Sequence, residues 1–222
     1  MALISTGDVI VWLGMQSSDR AIFPKLEAVS LAIQDFADSF TNRKLEAKRY
    51  LTDPYYSYLD GNNERYIYVP QYPVSYVSSV NIDNDRVFGS GTLVASSDLF
   101  WYPGGKIVVD GDYFASERSF GGGLLTRGRR NVLIDYTAGY APVVNGTHDN
   151  AVSTYPIPYD LRQVMLEMTA QTVKEGITAL HSAFSAQGDV KFIQMLSGNS
   201  FWSNVLTKYK AFSKVLGLGR EE

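Results

Sequence analysis

Residues able to do acid–base or metal chemistry are few and scattered in this sequence. The two histidines, His148 and His181, do not lie at the spacing of a zinc-binding HExxH pair. The chain has no cysteine, which excludes disulfides, thiolate catalysis and zinc–thiolate sites together. We find no nucleophile, base and orienting group at spacings that would bring them together. The sequence therefore predicts no enzyme activity, no cofactor and no metal site.

Two acidic segments carry oxygen ligands, DGNNE at residues 60–64 and DND at residues 83–85. Neither follows the spacing of a calcium-binding EF-hand loop, and turns are the commoner structure for such segments. We predict turns at both, the first as a candidate hairpin loop. The three glycines at 121–123 are not followed by Lys-Ser or Lys-Thr, so they do not predict a phosphate-binding loop.

A small basic cluster follows these glycines, formed by Arg127, Arg129 and Arg130. The glycine-rich surroundings predict a mobile loop near residues 115–130. Arginine binds phosphate and carboxylate groups through paired hydrogen bonds. We therefore predict that this loop contacts DNA phosphates or an acidic partner surface. The alternative is a solvated loop whose charges only add solubility.

The composition describes an ordinary globular chain with many aromatic residues. Its 222 residues are 45% hydrophobic and 19% charged, which suffices for one domain with a substantial core. A net charge of −3 argues against a broad basic face that grips nucleic acid, although it permits a protein that surrounds DNA loosely. The 15 tyrosines favour strands and contact surfaces. No apolar segment is long enough to predict a membrane helix, and the first residues do not resemble a signal peptide. We expect synthesis in the host cytoplasm.

Residues 1–43 predict two helices. Residues 5–8 predict a cap for a short helix, Val9 to Leu13, which ends at Gly14. The second helix begins near Pro24 and ends at residues 41–43. Its apolar stripe consists of Ile22, Leu26, Val29, Ile33, Phe36 and Phe40.

Residues 44–142 predict a β-rich section with the strand spacing of a small sandwich or meander. Alternating or β-branched segments predict strands at 45–51, 64–70, 74–82, 92–99, 106–109 and 132–137.

Residues 155–217 predict the C-terminal helices. Pro156 and Pro158 precede a long helix that has Asp160 in its first turn and helical periodicity as far as Phe184. A last amphipathic helix follows from Phe201 to Leu216. The predicted class is α+β, with a helical hairpin and long C-terminal helices enclosing or flanking an inserted antiparallel β-rich section.

The order of these parts resembles the head–tail connector (adaptor) family of long-tailed bacteriophages and related prophages. After the helical hairpin, three segments carry the resemblance: YVPQYPVSYVSSVNI at 68–82, NVLIDYTAGYAP at 131–142 and YPIPYDLRQVMLEMTAQTV at 155–173. The chain is long for that family. Residues 86–130 and 143–154 depart from its pattern as insertions, so the resemblance assigns them no role.

This resemblance implies a structural virion protein in the neck, at the head–tail junction. Members form a homo-oligomeric ring, commonly a dodecamer, below the portal protein. The ring extends the channel for double-stranded DNA and meets the next neck or tail protein. In the family the C-terminal segment often reaches the portal, which makes the last helix a candidate docking element; the alternative is a helix packed on its own subunit. The candidate docking residues are Phe201, Trp202, Val205, Leu206, Tyr209 and Phe212.

Two other functions remain open at this point. A head-closure or tail-terminator protein would favour a β-barrel core with fewer long helices. A carbohydrate- or surface-binding module would use the tyrosines and tryptophans as contacts, although the long C-terminal helices argue against it. The polar face of the long helix could meet either a neighbouring subunit or the channel.

Overall fold

A computed structural model describes residues 3–15, 22–110, 125–141, 143–144, 147–148, 153–174 and 196–211. The chain forms two compact units. One contains Met1–Glu46 and Tyr140–Ala211, and the other contains Ala47–Gly139. Over the described residues, the second unit is thus an insertion within the sequence of the first. Helices and antiparallel sheets both occur, which confirms the α+β class, whereas the single-domain assignment stays a prediction.

The first unit is helical, and local sequence sets the helix ends. Ser5 and Asp8 form a reciprocal capping box at the start of the first helix, and Gly14 ends it in the left-handed conformation. Pro24 opens the second helix and Asn42 closes it. The helices are α1 (Thr6–Leu13), α2 (Phe23–Thr41), α3 (Tyr159–Lys174) and α4 (Ser200–Lys208).

Helix α3 lies at the centre of this unit, in contact with α1, α2 and α4. Four of its side chains are fully buried in the helical core: Leu161, Val164, Met165 and Met168. They recur at helical spacing, so the predicted apolar stripe of the long helix is confirmed as far as Lys174. The remainder of that predicted helix, residues 175–184, lies outside the described residues.

Over its described residues, the second unit contains seven strands. They are β1 (Lys48–Tyr50), β2 (Tyr58–Gly61), β3 (Tyr66–Tyr68), β4 (Val74–Ile82), β5 (Leu99–Trp101), β6 (Lys106–Val109) and β7 (Gly128–Ala138). A further two-residue pair, β8 (Val143–Val144) with β9 (Thr147–His148), belongs to the helical unit.

Strand β7 is the central strand of a four-stranded antiparallel sheet. Strand β4 pairs with it from Val132 to Ala138, while β1 and β2 pair with successive parts of β7, at Tyr136–Ala138 and Gly128–Leu133. A separate three-stranded sheet has the order β3-β6-β5. Apolar side chains of both sheets share one core, as in a small sandwich, which is one of the two arrangements that the strand spacing predicts.

Two strand-level predictions are wrong. Residues 92–99 form short 3₁₀ turns at Ser90–Thr92 and Ser96–Asp98, and the strand begins only at Leu99. Serine and threonine hydroxyls bond locally here, as Thr92 does to the Gly89 carbonyl, which competes with a ladder. Residues 60–63 are not a hairpin loop, because β2 pairs with β7 while β3 pairs with β6.

The last helix is shorter than predicted. It ends at Lys208, after which the N–H groups of Tyr209 and Lys210 bond to carbonyls three residues back, at 3.1 and 3.2 Å. The N–H of Ala211 then bonds to the carbonyl of Thr41 at 2.8 Å. Phe212 and the rest of the predicted helix lie outside the described residues. Over the described part of the chain, no helix has the length and apolar character needed to span a membrane.

Candidate functional site

The three predicted arginines lie at the beginning of β7 in the sheet unit. Arg127 precedes the strand, and Arg129 and Arg130 are its second and third residues. A loop position is therefore wrong for Arg129 and Arg130, because pairing of Gly128 with Gly61 draws this segment into the sheet. All three side chains are exposed, and they form no ion pair with any residue that the structure describes.

Asn131 holds three segments together next to these arginines. Its side chain is only 1% exposed. The Oδ1 atom accepts a hydrogen bond from the Gly61 N–H at 2.8 Å, and Nδ2 donates to the Thr126 carbonyl at 2.8 Å and to Asn84 Oδ1 at 3.0 Å. Its backbone carbonyl accepts from the Asp83 N–H at 2.8 Å. Each buried polar group would cost about 1–3 kcal/mol if left unpaired, so this set fixes the three segments against one another.

Two glycines permit the close approach around Asn131. A Cβ atom added at Gly61 would lie 1.9 Å from the Thr126 carbonyl oxygen, which no side chain can tolerate. One added at Gly128 would lie 2.6 Å from Asn131 Nδ2. Both positions therefore require glycine, because the Thr126 backbone at Gly61 and the Asn131 side chain at Gly128 lie closer than a Cβ atom allows.

The turn after β4 adds a fourth arginine to this end of the sheet. Asp83 accepts hydrogen bonds from the N–H groups of Asp85, Val87 and Phe88, and these bonds, that from Phe88 first, lower the pKa of its carboxyl. The predicted turn at 83–85 is confirmed. Because Asn131 bonds to Asp83 and Asn84, Arg86 stands two residues from an anchored segment.

Sequence reasoning did not find Asn131 or Arg86. The partners of Asn131 lie 47 and 70 residues away along the chain, at Asn84 and Gly61. No periodicity or motif links such distant polar residues. The one local signal is the Asp-Asn-Asp sequence at 83–85, which predicts a turn directly before Arg86.

The candidate docking helix, α4, packs on its own unit. Trp202, Val205, Leu206 and Tyr209 are buried in the helical core, whereas Phe201 remains exposed. This burial agrees with the alternative interpretation of the sequence, in which the last helix packs on its own subunit. A docking role for α4 stays a prediction, and in this arrangement Phe201 is the one of these five side chains that a partner can reach.

Polar contacts reinforce this packing of α4 on α3. Trp202 Nε1 donates to Glu167 Oε2 at 2.6 Å, and Asp160 accepts from Tyr209 Oη at 2.6 Å and from Lys208 Nζ at 2.8 Å. Partial burial by itself raises the pKa of Asp160, but the hydrogen bonds from Lys208, Tyr209 and the Leu161 N–H outweigh it and lower the pKa. Burial, together with the carboxylate, raises the pKa of the Tyr209 phenol.

Helix α3 also meets α1, at an aromatic cleft. Arg162 Nη2 forms an ion pair with Asp8 Oδ1 at 2.7 Å. The cleft has a volume of about 180 Å³. Part of the polar face of α3 is thus used inside its own unit, whereas Gln171 and Lys174 are exposed. The cleft is lined by Asp8, Val11, Trp12, Tyr159, Arg162, Gln163 and Leu166.

The three-stranded sheet presents aromatic side chains on its outer face. Ile67, Ile107 and Leu99 point into the core, so strand alternation directs their neighbours outward. The Lys106 ammonium lies 4.4 Å from the centre of the Tyr66 ring. We call this surface the aromatic face; it consists of Tyr66, Tyr68, Phe100, Tyr102, Lys106 and Val108.

Among the described residues, no group of three or more His, Asp or Glu side chains could hold a metal ion. No family model and no curated protein matches the chain.

The solved structures that this chain is similar to include three from gene transfer agent particles. One is a chain of the neck of an empty gene transfer agent (GTA) particle, with 19% identity, a TM-score of 0.45 and 78% of each chain covered. Another belongs to the virion of the native GTA particle, with 18% identity, a TM-score of 0.42 and 78% of each chain covered. A third is from the neck of the native GTA particle, with 19% identity, a TM-score of 0.36, and 78% of this chain and 80% of that chain covered.

Proposed function

We propose that this chain is a structural protein of a phage-type virion neck, a head–tail connector (adaptor). Its copies form a ring below the portal, extend the channel for double-stranded DNA and join the capsid to the next neck or tail protein. The role is non-enzymatic and requires no cofactor. Such a protein is made in the host cytoplasm and ends in the virion, at the head–tail junction.

One observation carries this proposal: the segments that resemble the connector family form the central elements of both units. Residues 68–82 contain β4, and residues 131–142 contain most of β7; the two strands pair along seven residues of β7. Residues 155–173 contain nearly all of α3, the helix that contacts α1, α2 and α4. The resemblance therefore involves the parts that organise each unit, and its order along the chain matches the order of those parts.

A ring needs a surface that can meet a neighbouring copy, and the aromatic face is our candidate. Phe100 and Tyr102 are each about half exposed, at 51% and 55%, and Tyr68 is 44% exposed. Aromatic side chains are enriched in protein interfaces because they offer a large area with few rotatable bonds. The burial of these rings between copies would supply the apolar centre of a subunit contact.

The mass of the assembly tests the proposal. The purified chain is measured by light scattering alone and after mixing with the portal protein of the same particle. We expect a closed ring of copies bound to the portal, whether or not the free chain is monomeric. A chain that stays monomeric and does not bind the portal would exclude the connector role. A ring that binds only an assembled tail would favour a tail-terminator protein instead.

A further inference from the structure

We propose that Arg86, Arg127, Arg129 and Arg130 form one binding site for the phosphate backbone of duplex DNA. We call these four residues the arginine patch. The proposal deepens the neck function and rests on it for the presence of DNA near the ring. The contact itself is a property of the folded chain and can be measured on its own.

Asn131 gives the patch its geometry. Its side chain and carbonyl bond to the 83–84 turn and to the segment before β7, so the chain positions of Arg86 and Arg127 are fixed relative to each other. Arg130 is the next residue before Asn131, and its N–H bonds to Asp60 Oδ1 at 2.7 Å. Two segments far apart in sequence thus bring exposed guanidinium groups to the same end of the sheet.

The backbone around the patch is strained. Arg86 has a φ of 61° and Arg130 a φ of 52°, in the left-handed region where a side chain is unfavourable. Among the described residues five other than glycine have positive φ, and four of them lie in these segments: Asn63, Arg86, Phe88 and Arg130. Glycine or asparagine would fit more easily at both arginine positions. Strain of this kind concentrates at functional sites, where the side chain is needed for something other than stability.

Acidic residues on the same segments keep the contact weak. Asp60 and Asp83 bond to backbone N–H groups, and Glu64 and Asp85 are exposed. The patch therefore lacks a large positive field. Its attraction for phosphate depends on the paired N–H donors of each guanidinium group. A weak, sequence-independent contact suits DNA that must move past the protein, because tight phosphate binding would stall it.

Duplex DNA fits the patch better than an acidic protein does. Protein interfaces obtain most of their affinity from buried aromatic or apolar anchors. On the Arg86 turn, the Phe88 ring is half-buried against the Tyr58 ring, with the ring centres 5.6 Å apart. The apolar side chain that this turn does expose is Val87, at 79%, and it is too small to act as an aromatic anchor. Phosphate contacts require no anchor, since the release of counterions supplies the free energy.

The test is the salt dependence of binding to a fluorescently labelled duplex of mixed sequence, measured by anisotropy with the full chain. Each phosphate contact contributes about 0.9 to the slope of log K against log salt concentration. We expect Arg86→Gly to weaken binding and to lower this slope by about 0.9, and we expect the same change for Arg127→Ala. The quadruple variant R86G/R127A/R129A/R130G should abolish measurable binding. Glycine is used at 86 and 130 because it suits a positive φ, so these variants keep the fold.

Two matched controls remove the same charge elsewhere. Lys25→Ala in α2 and Lys174→Ala in α3 remove exposed cations from the helical unit and should leave the affinity and slope unchanged. Arg86→Lys keeps the charge and should therefore keep the wild-type slope of log K against log salt concentration. A slope unchanged in Arg86→Gly would overturn the assignment. Equal, arginine-dependent binding of poly-glutamate would overturn it too, in favour of an acidic protein partner.

Ring formation on the portal, measured with the same variants, separates this inference from the neck function. A wild-type chain that forms the ring but does not bind the duplex would contradict the arginine patch alone. A chain that binds the duplex through these arginines but never assembles on a portal would contradict the connector role and leave the patch in place.

Discussion

At the residue scale, segments far apart in sequence meet at Asn131, and the backbone around it adopts unfavourable conformations. Gly61 and Gly128 are required by close approach. Arg86 and Arg130 occupy left-handed positions although they carry side chains. A residue chosen only for stability at these two positions would be glycine or asparagine. The arginines at these two positions therefore fit the binding role proposed above better than a role in stability.

Substitution at Arg130 measures this strain. Arg130→Gly removes the side chain that the left-handed φ disfavours, whereas Arg130→Ala keeps a Cβ atom. We expect the glycine variant to have a free energy of unfolding about 1 kcal/mol higher than the alanine variant. Urea unfolding of both variants gives the difference.

Arg129 is the control, because it neighbours Arg130 in β7 without a positive φ. There the order should reverse, with glycine less stable than alanine by about 0.5–1 kcal/mol. The same order at both positions would show that the backbone at Arg130 is not strained.

At the element scale, the contact between α3 and α4 decides how the C-terminal part of the helical unit is held. Three apolar side chains of α4 are buried, those of Trp202, Val205 and Leu206. Two polar junctions flank them, Asp160 with Lys208 and Tyr209, and Glu167 with Trp202. Because Asp160 lies in the first turn of α3, its negative charge also interacts favourably with the helix dipole. The junction should therefore respond to pH.

Asp160→Asn tests that response. The pKa of Asp160 is lowered in the folded chain, so its stabilising contribution is complete above its ordinary value of 3.8 and is lost as pH falls through the lower, folded value. We expect the variant to be about 1 kcal/mol less stable than the wild type at neutral pH. That difference should vanish in strong acid, as measured by urea unfolding across the pH range.

Glu27→Gln, an exposed change on α2, is the matched control for the loss of one carboxylate and should leave the free energy of unfolding at neutral pH unchanged. If Asp160→Asn were equally destabilising in strong acid and at neutral pH, the ionised carboxylate would not be what holds α4.

The aromatic face is the second element with a testable role. Phe100→Ser together with Tyr102→Ser should prevent ring assembly on the portal while changing the free energy of unfolding by less than about 0.5 kcal/mol for each site. Tyr55→Ser removes a ring that is 77% exposed elsewhere in the same unit, and should assemble normally. Normal assembly of the double variant, seen by light scattering, would show that subunits meet through another surface.

At the scale of the whole molecule, local patterns predicted the parts well and the long-range contacts poorly. The caps Ser5, Gly14 and Pro24, the strand 74–82 and the start of α3 follow from nearest neighbours in sequence, and the structure places them as expected. Strand 92–99 failed because serine and threonine side chains formed local turns instead. The hairpin at 60–63 failed because its flanking strands belong to different sheets.

The candidate sites divide in the same way. The arginines at 127, 129 and 130 could be named from their spacing, but their strand position and the addition of Arg86 depend on Asn131, whose partners no local pattern reveals. The aromatic face could be foreseen only as a tyrosine-rich composition, since which side of each strand is outward follows from the pairing of β3, β6 and β5. The division into two units, with one inserted in the other, also required the structure.

We propose that copies of this chain form a ring between the portal and the next neck protein. Image reconstruction of the neck of the intact particle tests it most directly. We predict a closed ring below the portal in which each copy shows the β4–β7 pair and the four helices described above. A neck without this chain, or copies of it at another position in the particle, would contradict the account.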